Sequence, residues 1–309
     1  MPAILMYGKP VAEAIEHRVA RGVEEFLARH HLIPTLAIVQ VGDNPASERY
    51  LRRKMDACAR LGMKAEVRRL SASISASSLK EEVSVLSGSP EVHGIHIELP
   101  LPRHIEEPEA GATDKFDVLD AIDSRKDVDG VSRGSIPELY RAQQHRLRFL
   151  PGTALAVRRM ISHYGIKTEG RKAVVVGRND ITAKPILHML GGRMCNAAAI
   201  WCHRYVPRAE QEKFIRDADI LVTSVGNPKY QIHGSVLKRG VVVFDIATRL
   251  DPSTGKLTGD VELESARAVA SHITPVPGGV GPVTVAALTE NLLRAANFCL
   301  GSGEPGYEF

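Results

Sequence analysis

The chain has 309 residues, 44% apolar and 25% charged, a globular composition with room for two domains of about 150 residues each. Forty Lys and Arg against 36 Asp and Glu give a formal net charge of +4, scattered through helical stretches instead of gathered into basic runs, which argues against a nucleic-acid partner. Cys58, Cys195, Cys202 and Cys299 lie far apart with no CxxC pair, and there is no basic leader or apolar run of about 18 residues, so a disulfide framework, a metal site, a membrane span and a targeting signal are all unexpected and a cytoplasmic protein is expected.

Residues 35 to 42 (TLAIVQVG), 64 to 70 (KAEVRRL) and 92 to 99 (VHGIHIEL) read as strands, with helical periodicity at 45 to 61 and 78 to 87 between them. That alternation predicts a parallel sheet covered by helices. A polar stretch, 131 to 152, reads as a hinge and leads into an amphipathic helix, TALAVRRMISHYG. A second series follows, with strands at 172 to 178, 197 to 202, 219 to 226 and 241 to 247 and helices near 182 to 191 and 208 to 217. Residues 273 to 284 (ITPVPGGVGPVT) are too rich in Pro and Gly for regular structure, and VAALTENLLRAANFCL is the final helix. The expected fold is α/β, two α/β series joined by the hinge.

Five stretches are candidates for chemistry. In VGDNPASERYLRRKMDAC, Asn44 and Pro45 make a helix cap and first turn, and Ser47, Tyr50, Lys54 and Cys58 share one helix face; read alone, this is an exposed helix with a snorkelling lysine. Glu98 in GIHIELPLP is a carboxylate at the end of a strand parallel to the one ending at Gly42, so Lys54 and Glu98 are expected to face each other across one crevice; a strand-end Glu is otherwise merely solvated. Asp127 and Asp129 in KDVDG occupy a turn, where an Asp commonly bonds its own backbone. VVVGRNDITAKP runs from a buried strand through Gly177 into a helix with Pro185 in its first turns, a geometry for pyrophosphate although the spacing is not G-x-G-x-x-G. At the end of the next strand His203 and Arg204 stand where an acidic residue would bind a ribose hydroxyl, which favours NADP over NAD or is simply a surface arginine. The loop PVPGGVGPVT has a backbone that a plain linker would not need.

These segments, in this order, resemble the methylenetetrahydrofolate dehydrogenase/cyclohydrolase family over nearly the whole chain, the block VGDNPASERYLRRK and the string TPVPGGVGPVT being the most specific. The resemblance implies two α/β domains flanking a cleft, an N-terminal folate-binding catalytic domain (1–150 plus 285–309) and a C-terminal Rossmann-like NADP domain (151–284), with tetrahydrofolate derivatives as substrates and a homodimer. It implies catalytic roles for Lys54, Glu98 and Asp129, and a substrate site of Tyr50, Lys54, Ile97, Glu98, Leu99, Asp129 and the loop Pro277, Gly278, Gly279, Val280 and Gly281. It implies cofactor contacts from Gly177, Arg178, Asn179, Pro185, His203, Arg204, Gly226 and Thr248. The implied reaction is oxidation of 5,10-methylenetetrahydrofolate to the methenyl cation, then hydrolysis to 10-formyltetrahydrofolate.

Several matched positions depart from the family pattern. The family's glutamine in VQLPLP is Glu98; its Val-Gly-x-Pro is Thr182, Ala183, Lys184, Pro185; its Cys-Thr-Pro is Gly152, Thr153, Ala154; DVGIN is DIATR, with Ala247 and Thr248; and the methionine of GGVGPMT is Val283. Hydride transfer is chiefly positioning, whereas hydrolysis needs a group that removes a proton from water. A neutral glutamine holds a lysine without fixing its charge, but a carboxylate about 4 Å away at an effective dielectric of about 20 attracts the ammonium by roughly 4 kcal/mol. Weakened hydrolysis is therefore expected. Three readings compete with it: a fully bifunctional dehydrogenase/cyclohydrolase, with Glu98 itself as a base whose proton affinity is raised by Asp129 sharing the same cation; a folate-binding paralogue without turnover; and a dehydrogenase of another small substrate, which would need a cationic clamp for a carboxylate.

Overall fold

The computed structural model describes residues 2–43, 45–109, 111–141, 147–251, 255–304 and 306–309, with backbone only at 45–47. The first half of the chain runs β1 (Ile4–Leu5), α1 (Gly8–His30), β2 (Thr35–Val41), α2 (Pro45–Arg60), β3 (Lys64–Leu70), α3 (Ala76–Gly88) and β4 (Gly94–Ile97). Short helices α4 (Arg103–Glu106), α5 (Lys115–Leu119) and α6 (Ile136–Arg141) lead to α7 (Gly152–His163). The second half runs β5 (Lys172–Val176), α8 (Ala183–Gly191), β6 (Ala198–Cys202), α9 (Arg208–Asp217), β7 (Ile220–Thr223) and β8 (Val242–Asp245). It closes with the hairpin β9 (Arg249–Leu250) and β10 (Leu257–Thr258), then α10 (Leu263–Arg267), β11 (His272–Ile273) and α11 (Val280–Cys299). Asn44, proposed as a cap, lies outside the described residues, as does the Ser47 side chain.

Two parallel sheets organise the molecule, as the alternation predicts. Among the described residues the first has the order β3-β2-β4. TLAIVQV is apolar along almost its whole length because β2 is central and covered on both faces, whereas the alternating burial of KAEVRRL marks β3 as an edge. The second has the order β1-β11-β8-β7-β5-β6, so the N-terminal strand is paired with β11 in the sheet of the second half, Ile4 opposite His272. In each sheet the first long strand is flanked on both sides, β2 by β3 and β4, β5 by β6 and β7. Chain order reverses there, and crevices open at the carboxyl ends of such strands.

Two long helices depart from the expected series. α1 buries Val11, Ile15, Val19, Val23 and Phe26, a spacing of three to four residues that makes one apolar stripe. α11 begins at Val280, inside the stretch expected to be irregular. Pro282 sits in its first turn, where a missing N–H costs no helical hydrogen bond, so the proline opens the helix instead of breaking it. α11 then packs against α1, α7 and α2 and reaches β2 and β4. Asn291 fixes this junction: its Nδ2 donates to Val128 O (2.6 Å) and Leu150 O (3.0 Å), and its Oδ1 accepts from the Tyr307 hydroxyl (2.6 Å).

Candidate functional site

β2 and β4 run parallel with Val39 opposite Ile97, so the segments leaving the two strands emerge at one sheet edge. β4 ends at Ile97, one residue before the carboxylate, but Glu98 N–H still donates to Val39 O (2.9 Å) and holds the carboxylate in register. The strand period puts residues 96 and 98 on one face and 95 and 97 on the other. Ile95 and Ile97 enter the core, so the Ile97 side chain points away from the edge that carries Glu98, and Leu99 packs against the same core. An added Cβ at Gly94 would lie 2.6 Å from Val128 and 2.8 Å from Leu292, so only glycine lets the 127–130 turn and α11 approach β4 this closely.

That approach assembles four charged or titratable side chains. Lys54 Nζ, from α2, donates to Glu98 Oε1 at 2.6 Å and stands 2.6 Å from His96 Nε2. His96 Nε2 is 3.3 Å from the same Glu98 oxygen, and Nδ1 makes a short bond to Asp129 Oδ2. Lys54 is 13% exposed and Glu98 9%. The expected facing of Lys54 and Glu98 is thus found, and Asp129 joins them through His96, which the motifs do not single out. Asp127, its neighbour in the turn, instead bonds its own backbone at Ser132 N (2.8 Å) and Val131 N (3.2 Å).

Burial alone would push the Glu98 carboxyl up, but the hydrogen bond and charge of His96, followed by Lys54, outweigh it and hold the carboxyl at about 2. Glu98 thus holds a proton too weakly to serve as a base near neutral pH, against the reading in which its proton affinity is raised. Burial also opposes charge on His96, and Lys54 adds to that; the Asp129 carboxylate and the Glu98 bond overcome both and raise its proton affinity. Two nitrogens 2.6 Å apart leave room for one proton on the line between them, so Lys54 and His96 share it.

Around this cluster the other expected substrate residues differ in placement. Tyr50 is one helical turn from Lys54 and exposed, with the Arg53 guanidinium 5.7 Å from its ring centre; Cys58, expected on the same face, is buried. Pro277 and Gly281 are exposed at the ends of the loop segment, Gly278 is half-buried, and Gly279 and Val280 are buried. Gly8 N–H donates to Gly278 O (2.8 Å), tying the loop to the start of α1. A Cβ at Gly152 would lie 3.8 Å from Thr284 and 4.0 Å from Asp129 Oδ1, so the starts of α7 and α11 converge on Asp129.

The second crevice lies beyond β5. Gly177 has φ +148°, and a Cβ there would lie 2.4 Å from Ser224 Oγ and 3.2 Å from the Ala183 Cβ, so the backbone turns beside the chain leaving β7. Trp201 Nε1 donates to Gly177 O (2.6 Å) and clamps the turn. Asn179 is exposed, its Oδ1 accepting from Ile181 N–H (2.9 Å), while Pro185 is buried in the first turn of α8, whose N-terminus has no side-chain cap. Lys184 pairs with Asp180. The Arg178 and Arg204 guanidiniums both flank Tyr205, 5.5 and 4.9 Å from its ring centre, and Arg204 donates to its hydroxyl (3.0 Å). Tyr205 thus joins the expected residues here, beside His203, whose ring packs edge-on to Trp201. Gly226 N–H donates to the buried Asp260 (3.0 Å), and Thr248 is exposed after β8. A turn built for close backbone approach, an uncapped helix N-terminus and two arginines around an exposed ring fit a dinucleotide with an extra phosphate. A separate cavity of about 240 Å³, lined by Asp245, Thr258, Gly259, Thr274 and Val276 among others, shares no residue with the Lys54 cluster.

Comparison with known proteins adds to this geometry. Residues 6–129 match the model for the tetrahydrofolate dehydrogenase/cyclohydrolase catalytic domain, and residues 151–299 match that for the NAD(P)-binding domain of the same enzymes. The chain is 39% identical over 304 residues to a mitochondrial bifunctional methylenetetrahydrofolate dehydrogenase/cyclohydrolase of Drosophila melanogaster, covering 95% of this chain and 94% of the relative. It is 40% identical over 296 residues to the bifunctional protein FolD of Moorella thermoacetica, covering 96% and 99%. A Trypanosoma brucei methylenetetrahydrofolate dehydrogenase-cyclohydrolase, solved with NADP cofactor and an inhibitor, superposes with a TM-score of 0.87 at 31% identity, covering 97% of this chain and 99% of that one.

Proposed function

This chain belongs to the tetrahydrofolate dehydrogenase/cyclohydrolase family, and on that premise we propose that it oxidises 5,10-methylenetetrahydrofolate to the methenyl form with NADP and carries out the following hydrolysis slowly. The observation that carries the second half of this reading is the 2.6 Å contact between Lys54 Nζ and the ionised Glu98. An amine held against a carboxylate keeps its proton and is a poor acceptor for one from water. Hydride transfer depends on placement and does not need that amine to be free.

Bound NADP supplies the hydride acceptor. Backbone N–H groups after Gly177 and at the start of α8 would face its pyrophosphate, with Arg178 and Arg204 toward the 2′-phosphate. Asp129 would hold the pterin, Tyr50 would stack on it, and Pro277 to Gly281 would wall the slot. We propose residues 1–150 with 285–309 as the folate domain and 151–284 as the cofactor domain, in a cytoplasmic homodimer. The second reading, unimpaired bifunctionality, is favoured by relatives whose names carry both activities. Calorimetric titration separates the classes: this proposal predicts that tetrahydrofolate binds and that NADP binds more tightly than NAD, whereas folate binding without NADP binding means a paralogue without turnover.

A further inference from the structure

We infer that His96 is a positioning residue for the hydrolytic half-reaction, taking the proton of Lys54 at Nε2 while Asp129 holds its Nδ1–H. His93, three residues earlier on the same chain segment, is a core histidine: its Nδ1 accepts from Thr35 N–H (3.2 Å) and its ring lies edge-on to Phe26. His96 instead projects from the middle of β4 into a ring of ionisable partners. α2 supplies Lys54, the end of its own strand Glu98, and the following turn Asp129. β2 beside it presents apolar Ile38 at the paired position, and α11 presents Leu292 to β4.

The short bond to the Asp129 carboxylate places one ring proton at Nδ1, so Nε2, 2.6 Å from Nζ, is the ring atom that shares the single proton between His96 and Lys54. In the transfer the Nζ–H bond breaks and the Nε2–H bond forms, leaving a neutral amine beside an imidazolium lying between two carboxylates. The amine then receives a proton as the oxygen of water bonds to the methenyl carbon. Collapse of the resulting hydroxyl adduct breaks the bond from that carbon to the ring nitrogen, which takes the hydroxyl proton. One proton remains in excess and leaves from His96 to solvent. Glu98 thus slows hydrolysis, and His96 sets the pH range in which the remainder runs.

This inference rests on the folate reading above. The test compares the full-length protein with His96→Gln, a side chain that still accepts a hydrogen bond but cannot carry the proton. The expected result is a fall of about tenfold in the ratio of hydrolysis to hydride transfer, with the pH profile of hydrolysis displaced upward by about one pH unit. An unchanged ratio and profile overturns the inference, and so does a parallel loss of both activities with the profile in place. A measurement on the unaltered protein keeps it testable if the variant does not fold or hydrolysis is too slow to follow. Histidine ¹⁵N resonances should show His96 protonated at Nδ1 with a proton shared at Nε2; a ring titrating alone, as an ordinary histidine does, overturns the proposal. Glu98→Gln, read in the same assays, isolates the parent reading: if it leaves hydrolysis unchanged, slowing by Glu98 fails while the His96 result still decides its own case.

Discussion

Replacing Glu98 with Gln removes one charge and keeps the shape and one acceptor of the side chain. At 2.6 Å and an effective dielectric of about 20, the Lys54–Glu98 attraction is roughly 6 kcal/mol before desolvation. The net effect is smaller: a carboxyl held at about 2 against an ordinary 4.5 reports roughly 3 kcal/mol after the cost of burial. His96 contributes to that figure before Lys54 does, so about half, on the order of 1–2 kcal/mol, is assigned to the Lys54–Glu98 contact and is the restraint that the substitution releases. Glu98→Gln should therefore hydrolyse 5,10-methenyltetrahydrofolate about tenfold faster than the parent, read as the loss of methenyl absorbance after subtraction of the uncatalysed rate. Hydride transfer should change far less. A variant no faster than the parent refutes the reasoning that the carboxylate restrains the lysine.

Arg204→Ala should narrow the preference for NADP over NAD by about tenfold, since one charge-assisted bond to phosphate is worth roughly 1.5–3 kcal/mol; equal KM values for both cofactors in the parent would contradict the assignment. Gly177→Ala places a methyl 2.4 Å from Ser224 Oγ at φ +148°, and should cost about 1–3 kcal/mol in urea unfolding and weaken NADP binding at least tenfold by calorimetry. Asn291→Ala leaves the carbonyls of Val128 and Leu150 without this donor and should cost about 2–4 kcal/mol, with a raised folate KM because Val128 precedes Asp129. Glu98 also predicts a pH dependence of stability. Its folded value lies below its unfolded one, so its contribution is complete above pH 4.5 and is lost as pH falls toward about 2; Asp123, Asp219 and Glu262 are also held low, so urea unfolding should show a slope in both proteins, steeper in the parent than in Glu98→Gln.

How legible the molecule is in its sequence varies with the range of the interaction. The strand β3 and the helix α9 lie where their patterns put them, because an edge strand and an amphipathic surface helix write their burial into period 2 and period 3.6. β1 and β11 span two residues each, too few to show a period, and only their pairing identifies them. The α1 stripe was readable at Val11, Ile15, Val19 and Val23, whereas the start of α11 was masked by a proline whose effect depends on its place in the turn. At the site, parallel strand ends were enough to bring Lys54 to Glu98. His96 is a different case: alternation places it on the face of Glu98, but GIHI otherwise reads as an apolar strand, and the partners that give the ring a role come from positions 54 and 129. Ile97 is placed in the slot by the family resemblance, and the same alternation turns its side chain into the core.

The central claim is that the Lys54 cluster and the Gly177 crevice serve one oxidation of a folate carbon. The most direct measurement is the appearance of NADPH at 340 nm when the purified protein meets 5,10-methylenetetrahydrofolate and NADP, with methenyltetrahydrofolate followed in the same cuvette. The account predicts stoichiometric NADPH and methenyl product, with the methenyl form accumulating because its hydrolysis lags. Binding of both ligands without NADPH formation, or hydrolysis that keeps pace with oxidation so that no methenyl form builds up, would contradict it.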